Sequence, residues 1–81
     1  MKIVRLERGE RPPEDSDYIT INSLPNGRHG VSGVTSTRAL RPEAVTMVTR
    51  NSLPTDGEAE AAGIRWGMEQ GIDVLYVVRP T

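Results

Sequence analysis

The chain contains no cysteine and no phenylalanine, and it has one histidine and three large aromatic residues, Trp66, Tyr18 and Tyr76, in 81 positions. Without thiols there is no disulfide framework, no thiolate nucleophile and no sulfur-ligated zinc, and His29 alone cannot build a histidine-based metal cage. No apolar run approaches the ~20 residues of a membrane span, and the start, Met1-Lys2-Ile3-Val4-Arg5-Leu6, alternates where a signal peptide would be uniformly apolar. The expectation is a cytoplasmic chain with no membrane partner and no cofactor. Ten cations against 11 acids leave a net charge of -1, which excludes the broad basic field of a nonspecific nucleic-acid coat.

What is present is enough for one small domain over residues 1–81. A core of this size has little surplus over an ordering cost of about 1.5 kcal/mol per residue, so self-association is a natural way to gain stability. Nine of the ten cations are arginine, a residue whose planar fork suits carboxylate and phosphate.

Lys2 to Glu7 alternates as a short strand, and a polar, proline-containing loop follows over about 9–17. Tyr18-Ile19-Thr20-Ile21-Asn22 has the period-2 pattern of a half-buried strand. Asn26-Gly27 signals a reversal into a strand over Val31–Thr37, in which Gly33 suggests a bulge. Residues 42–51 fit a strand through their Val and Thr content, or a short helix starting at Pro42. Thr55-Asp56-Gly57-Glu58 is a capping box, which predicts a helix running to Gln70 and closing at Gly71. Ile72–Val78 is nearly continuously apolar, the signature of a central strand. The fold expected is α+β: a small antiparallel sheet of three to five strands with one helix on one face, in the order β-β-β-(β)-α-β.

The helix carries two apolar stripes. Ala59, Ala62, Gly63 and Trp66 recur at i, i+3, i+4, i+7 and are assigned to the core. Ala61, Ile64 and Met68 form a second stripe, and Gly63 and Gly67 each cost ~1 kcal/mol of helix propensity, which close backbone approach would offset. Together these five residues are the expected contact surface for a second copy or another protein. The rival surface is nucleic-acid binding by Arg28, Arg38, Arg41 and Arg50, because between Asn22 and Asn51 four cations face a single acid, Glu43.

Other constellations have plain structural explanations. Asp56, Glu58 and Glu60 fall in the first helical turns, where the helix dipole favours acids in any case. Glu14, Asp15 and Asp17 lack the loop spacing of a calcium hand. His29 could act as a general base only with a nucleophile such as Ser23, Ser32 or Ser36 and an orienting acid. The Asn26–Gly30 turn could cradle an anion but lacks the ending of a phosphate loop. The element order from Tyr18 onward resembles, in order only, the first half of the ribonuclease H-like fold. That resemblance implies metal-holding carboxylates on the first strand, in the first helix and after the fourth strand. The matching positions here carry Asn22 and Glu60, with no third acid in Arg79-Pro80-Thr81. The function expected is noncatalytic: a binding module acting through the helix and a sheet edge.

Overall fold

Strand and helix signals of the sequence recur in the structure, a computed structural model that describes residues 1–35, 44–49 and 51–80. The elements are β1 (Lys2–Arg5), β2 (Asp17–Ser23), β3 (His29–Thr35), β4 (Ala44–Met47), α1 (Asp56–Glu69) and β5 (Val74–Val78). Asp17, read as the last residue of the polar loop, is the buried first residue of β2. In the open segment 42–51 the strand is Ala44–Met47, as the β-branched content favours, and the described residues Val48, Thr49 and Asn51 lie outside it.

The five strands lie in the order β1-β5-β2-β3-β4. β3 is antiparallel to both β2 and β4, whereas β5 runs parallel to β1 and β2, its two neighbours. The sheet is therefore mixed, which corrects the antiparallel expectation. The physical reason is the connection: a helical crossover carries the chain back across the sheet and delivers the next strand parallel.

The β2–β3 hairpin turns as a three-residue loop. Gly27 N–H donates to Leu24 C=O at 3.0 Å and Leu24 N–H to Arg28 C=O at 2.8 Å, and Gly27 takes a φ of 79°. Pro25 supplies the fixed φ of a type I turn, and Gly27 supplies the left-handed residue that closes it. Gly33 forms no bulge; it pairs with Ile19 on one side and Thr46 on the other in unbroken register.

Helix α1 begins where the sequence indicates. Thr55 Oγ accepts from the Glu58 N–H at 3.1 Å, while the Glu58 carboxylate accepts from the Thr55 hydroxyl instead of reaching back to its backbone. At the other end Gly71 N–H donates to Met68 C=O and Ile72 N–H to Gly67 C=O, each at 3.1 Å, with Gly71 at φ 72°. This paired closure is a Schellman motif.

The core lies between α1 and one face of the sheet, and is built from Ile19, Ile21, Val31, Leu75 and Val77 below Ala59 and Trp66, with Ile72 at its margin. The opposite face carries the alternate residues Tyr18, Thr20, Val34, Tyr76 and Val78. Val34 is nonetheless only 5% exposed. Residues 11–16 of the connection from β1 to β2 line a hollow with Tyr18, Thr20, Val34 and Val78. This connection and the helical one step across the sheet in opposite directions, so equal right-handedness puts them on opposite faces.

Candidate functional site

Charged side chains gather where β1 and β5 end and α1 begins. Arg5 donates through Nε and Nη2 to the two Glu60 carboxylate oxygens at 2.9 and 3.1 Å. Arg79 grips Asp56 in the same two-pronged way, at 3.1 and 2.5 Å, and reaches Glu60 at 3.2 Å. The Arg79 hydrogen bonds hold the Asp56 carboxyl below its ordinary value, against an opposing effect of burial, with smaller pulls from the charges of His29 and Arg8. Glu60 is lowered chiefly by Arg5, again against burial, with help from Arg79. Two cations and two carboxylates thus spend their hydrogen bonds on one another and rivet the helix start to two strands.

The residues proposed for an intermolecular contact divide. Gly63 and Gly67 are buried and face the sheet of their own chain. A side chain at Gly63 would run into the Cδ1 of Ile19, and one at Gly67 would lie 3.1 Å from Leu75 Cδ2. Their close approach is to β2 and β5, which removes them from any outward surface. Ile64 is half-buried against the core, while Ala61 and Met68 are exposed, Met68 by 66%. What remains outside is an isolated methionine beside a small alanine, interrupted by Arg65.

Of the arginine set, Arg28 donates through Nε and Nη2 to Ser52 Oγ and Ser52 C=O, both at 2.7 Å. Arg38, Arg41 and Arg50 lie outside the described residues, so the basic face expected from them has no described geometry. In the turn, Asn26 Oδ1 accepts from the Arg28 N–H at 3.0 Å, which closes the loop on itself. His29 pairs with Ser23 across the ladder and with Leu53 through its backbone, and its Nδ1 is buried without a hydrogen-bond partner among the described residues. Asp56, the acid that feels the charge of His29, is engaged by Arg79. Ser36 lies outside the described residues. Asn22 projects from the face opposite Ile19 and Ile21, hence away from the helix that carries Glu60, so the two positions of the ribonuclease H-like resemblance do not converge.

The sheet ends in two unlike edges. β1 carries Lys2 and Arg5, both exposed. β4 and the two residues beyond it read Ala44-Val45-Thr46-Met47-Val48-Thr49, with no charge and no proline. Among the described residues the only strand paired with β4 is β3. Met47 is 70% exposed, the largest value of any large apolar side chain described. Beside it Leu24, Gly30, Val31, Asn22, Ser32 and Thr49 line a hollow, and among the described residues no charged side chain lines it. The sequence points to the helix and a sheet edge without saying which edge; the uncharged β-branched run of residues 44–49 is the signal that singles out this one.

Comparison of the chain with family models, with curated proteins and with solved structures finds no match to any of them.

Proposed function

We propose that this chain is a noncatalytic binding module that associates with a second copy of itself through the β4 edge of its sheet. The observation that carries this reading is the contrast between the edges. Charges on an edge strand oppose docking of another strand, because pairing would desolvate them, and β1 bears two. The β4 run bears none. Antiparallel pairing of two such runs about a two-fold axis places no charge of the run itself in the seam and brings Met47 of each copy toward the hollow beside the other strand. A cytoplasmic location belongs to the same proposal, and a chain without cysteine is compatible with it because no disulfide has to form.

Met47→Lys tests the reading with little risk to the fold, because the side chain is largely in water. Light scattering over a concentration series should show a wild-type dimer and a monomeric variant with unchanged circular dichroism. A wild type that stays monomeric at the highest concentration, or a dimer untouched by Met47→Lys, overturns it.

A further inference from the structure

We infer that Asn26 is a self-modification site, converted to aspartate and isoaspartate by the backbone nitrogen of Gly27, and that the hairpin turn gates the reaction. This goes beyond the association reading and does not depend on it. Asn26 and Gly27 are both exposed, and nothing lies within 4 Å of where a side chain at Gly27 would begin, so the space beside Gly27 is open.

The step balances with water as the only other reactant. The Gly27 amide loses its proton, and its nitrogen bonds to Cγ of Asn26. The Cγ–Nδ2 bond then breaks, Nδ2 regains through solvent the proton that the Gly27 amide gave up and leaves as ammonia, and a five-membered succinimide remains. Water opens the ring at either carbonyl. Breaking the new bond to Cγ gives aspartate; breaking the original peptide bond gives isoaspartate, in which the main chain runs through Cγ.

Two hydrogen bonds act on this reaction in opposite senses. The Arg28 N–H already points at Asn26 Oδ1 at 3.0 Å, where negative charge develops as the nitrogen attacks. The Gly27 N–H, which must be surrendered first, is held by Leu24 C=O at 3.0 Å. The closed turn therefore polarises the electrophile while guarding the nucleophile. Opening of that one bond starts the chemistry, and openings of this kind at loop tips are among the least costly in a protein. The isoaspartate product adds a backbone carbon between residues 26 and 27. The Leu24–Gly27 and Leu24–Arg28 hydrogen bonds then cannot both close, and Arg28 loses its fixed reach to Ser52.

The full chain is incubated in mildly alkaline buffer, folded and in urea, alongside Pro25→Gly, which frees the turn without touching the Asn-Gly pair, with circular dichroism confirming that the variant is folded. Peptide mapping follows the amide-to-acid mass gain and isoaspartate at Asn26, with Asn22 and Asn51 as internal controls. Conversion of the folded wild type should be confined to Asn26 and about tenfold slower than in urea, equivalent to ~1.4 kcal/mol of opening, with Pro25→Gly between the two. Folded and unfolded chains converting at one rate would overturn the gating. No conversion in either folded protein while the unfolded chain converts fully would overturn the site.

Discussion

The indole of Trp66 occupies the space that a side chain at Gly33 would fill: a Cβ there would lie 2.5 Å from Cη2 and Cζ3 of the ring. The helix and the third strand thus meet as a large residue over an absent one, and the largest side chain of the core is seated by a position with no side chain at all.

This pairing predicts a coupled pair of substitutions. Trp66→Leu should cost about 2–4 kcal/mol through lost burial and the space it leaves. Gly33→Ala in the native background should cost about 1–3 kcal/mol, because the ring must shift. Combined, the second change should become nearly neutral, a coupling measurable by urea denaturation of all four proteins. Additive losses would show that the ring has room to move.

The two helical glycines should respond differently to alanine. Both gain ~1 kcal/mol of helix propensity. At Gly63 the new methyl group collides with Ile19, which is fully buried, so the net effect is a loss of about 1–2 kcal/mol. At Gly67 the nearest atoms are a Leu75 methyl at 3.1 Å and the Met1 sulfur at 3.5 Å, the latter at the end of a flexible side chain. Gly67→Ala should therefore stay within about 0.5 kcal/mol of wild type. Thermal melts of the two variants decide it, and equal effects would refute the assignment.

The Arg5–Glu60–Arg79–Asp56 cluster makes stability depend on acid pH. Asp56 and Glu60 both titrate below their ordinary values in the folded chain. Their contribution is therefore fully present above the unfolded carboxylate range near pH ~4 and is lost as pH falls through the lower folded values. Arg79→Gln should destabilise by about 1 kcal/mol at neutral pH, discounted for the partial exposure of the partners. The gap from wild type should close as pH falls through the lowered folded values of the two carboxyls. Denaturation midpoints against pH provide the check; a gap independent of pH would mean that Arg79 acts by packing.

Local chemistry was legible in the sequence wherever one segment decides it. Thr55 and Gly71 mark the helix ends through groups a few residues away, and Asn26-Gly27 marks the turn for the same reason. The direction of the last strand was legible in principle, since a strand-helix-strand unit is a parallel crossover, but the apolar run of Ile72–Val78 says only that it has neighbours. The seating of Trp66 on Gly33 and the bridging of Arg5 to Glu60 join distant positions, so no window of sequence contains both partners. The helix glycines illustrate the limit best. Their cost correctly pointed to a close contact, but it could not say that the contacting groups would be side chains of this chain, Ile19 and Leu75.

The place of β5 between β1 and β2 has a consequence for how the chain acquires its structure during synthesis. The hairpin of β2 and β3 is contiguous and can form as soon as it emerges, but β1 has no strand to pair with until Val74–Val78, nearly the whole chain later, is available. Loop closure of that length precedes any reward from the contacts it brings, so folding should be slower than the size of the chain suggests. Until the final strand arrives, the apolar side of the hairpin and the buried stripe of the helix lack the row of Leu75 and Val77 against which they close, and the nascent chain depends on other means to keep those surfaces from meeting the wrong neighbours.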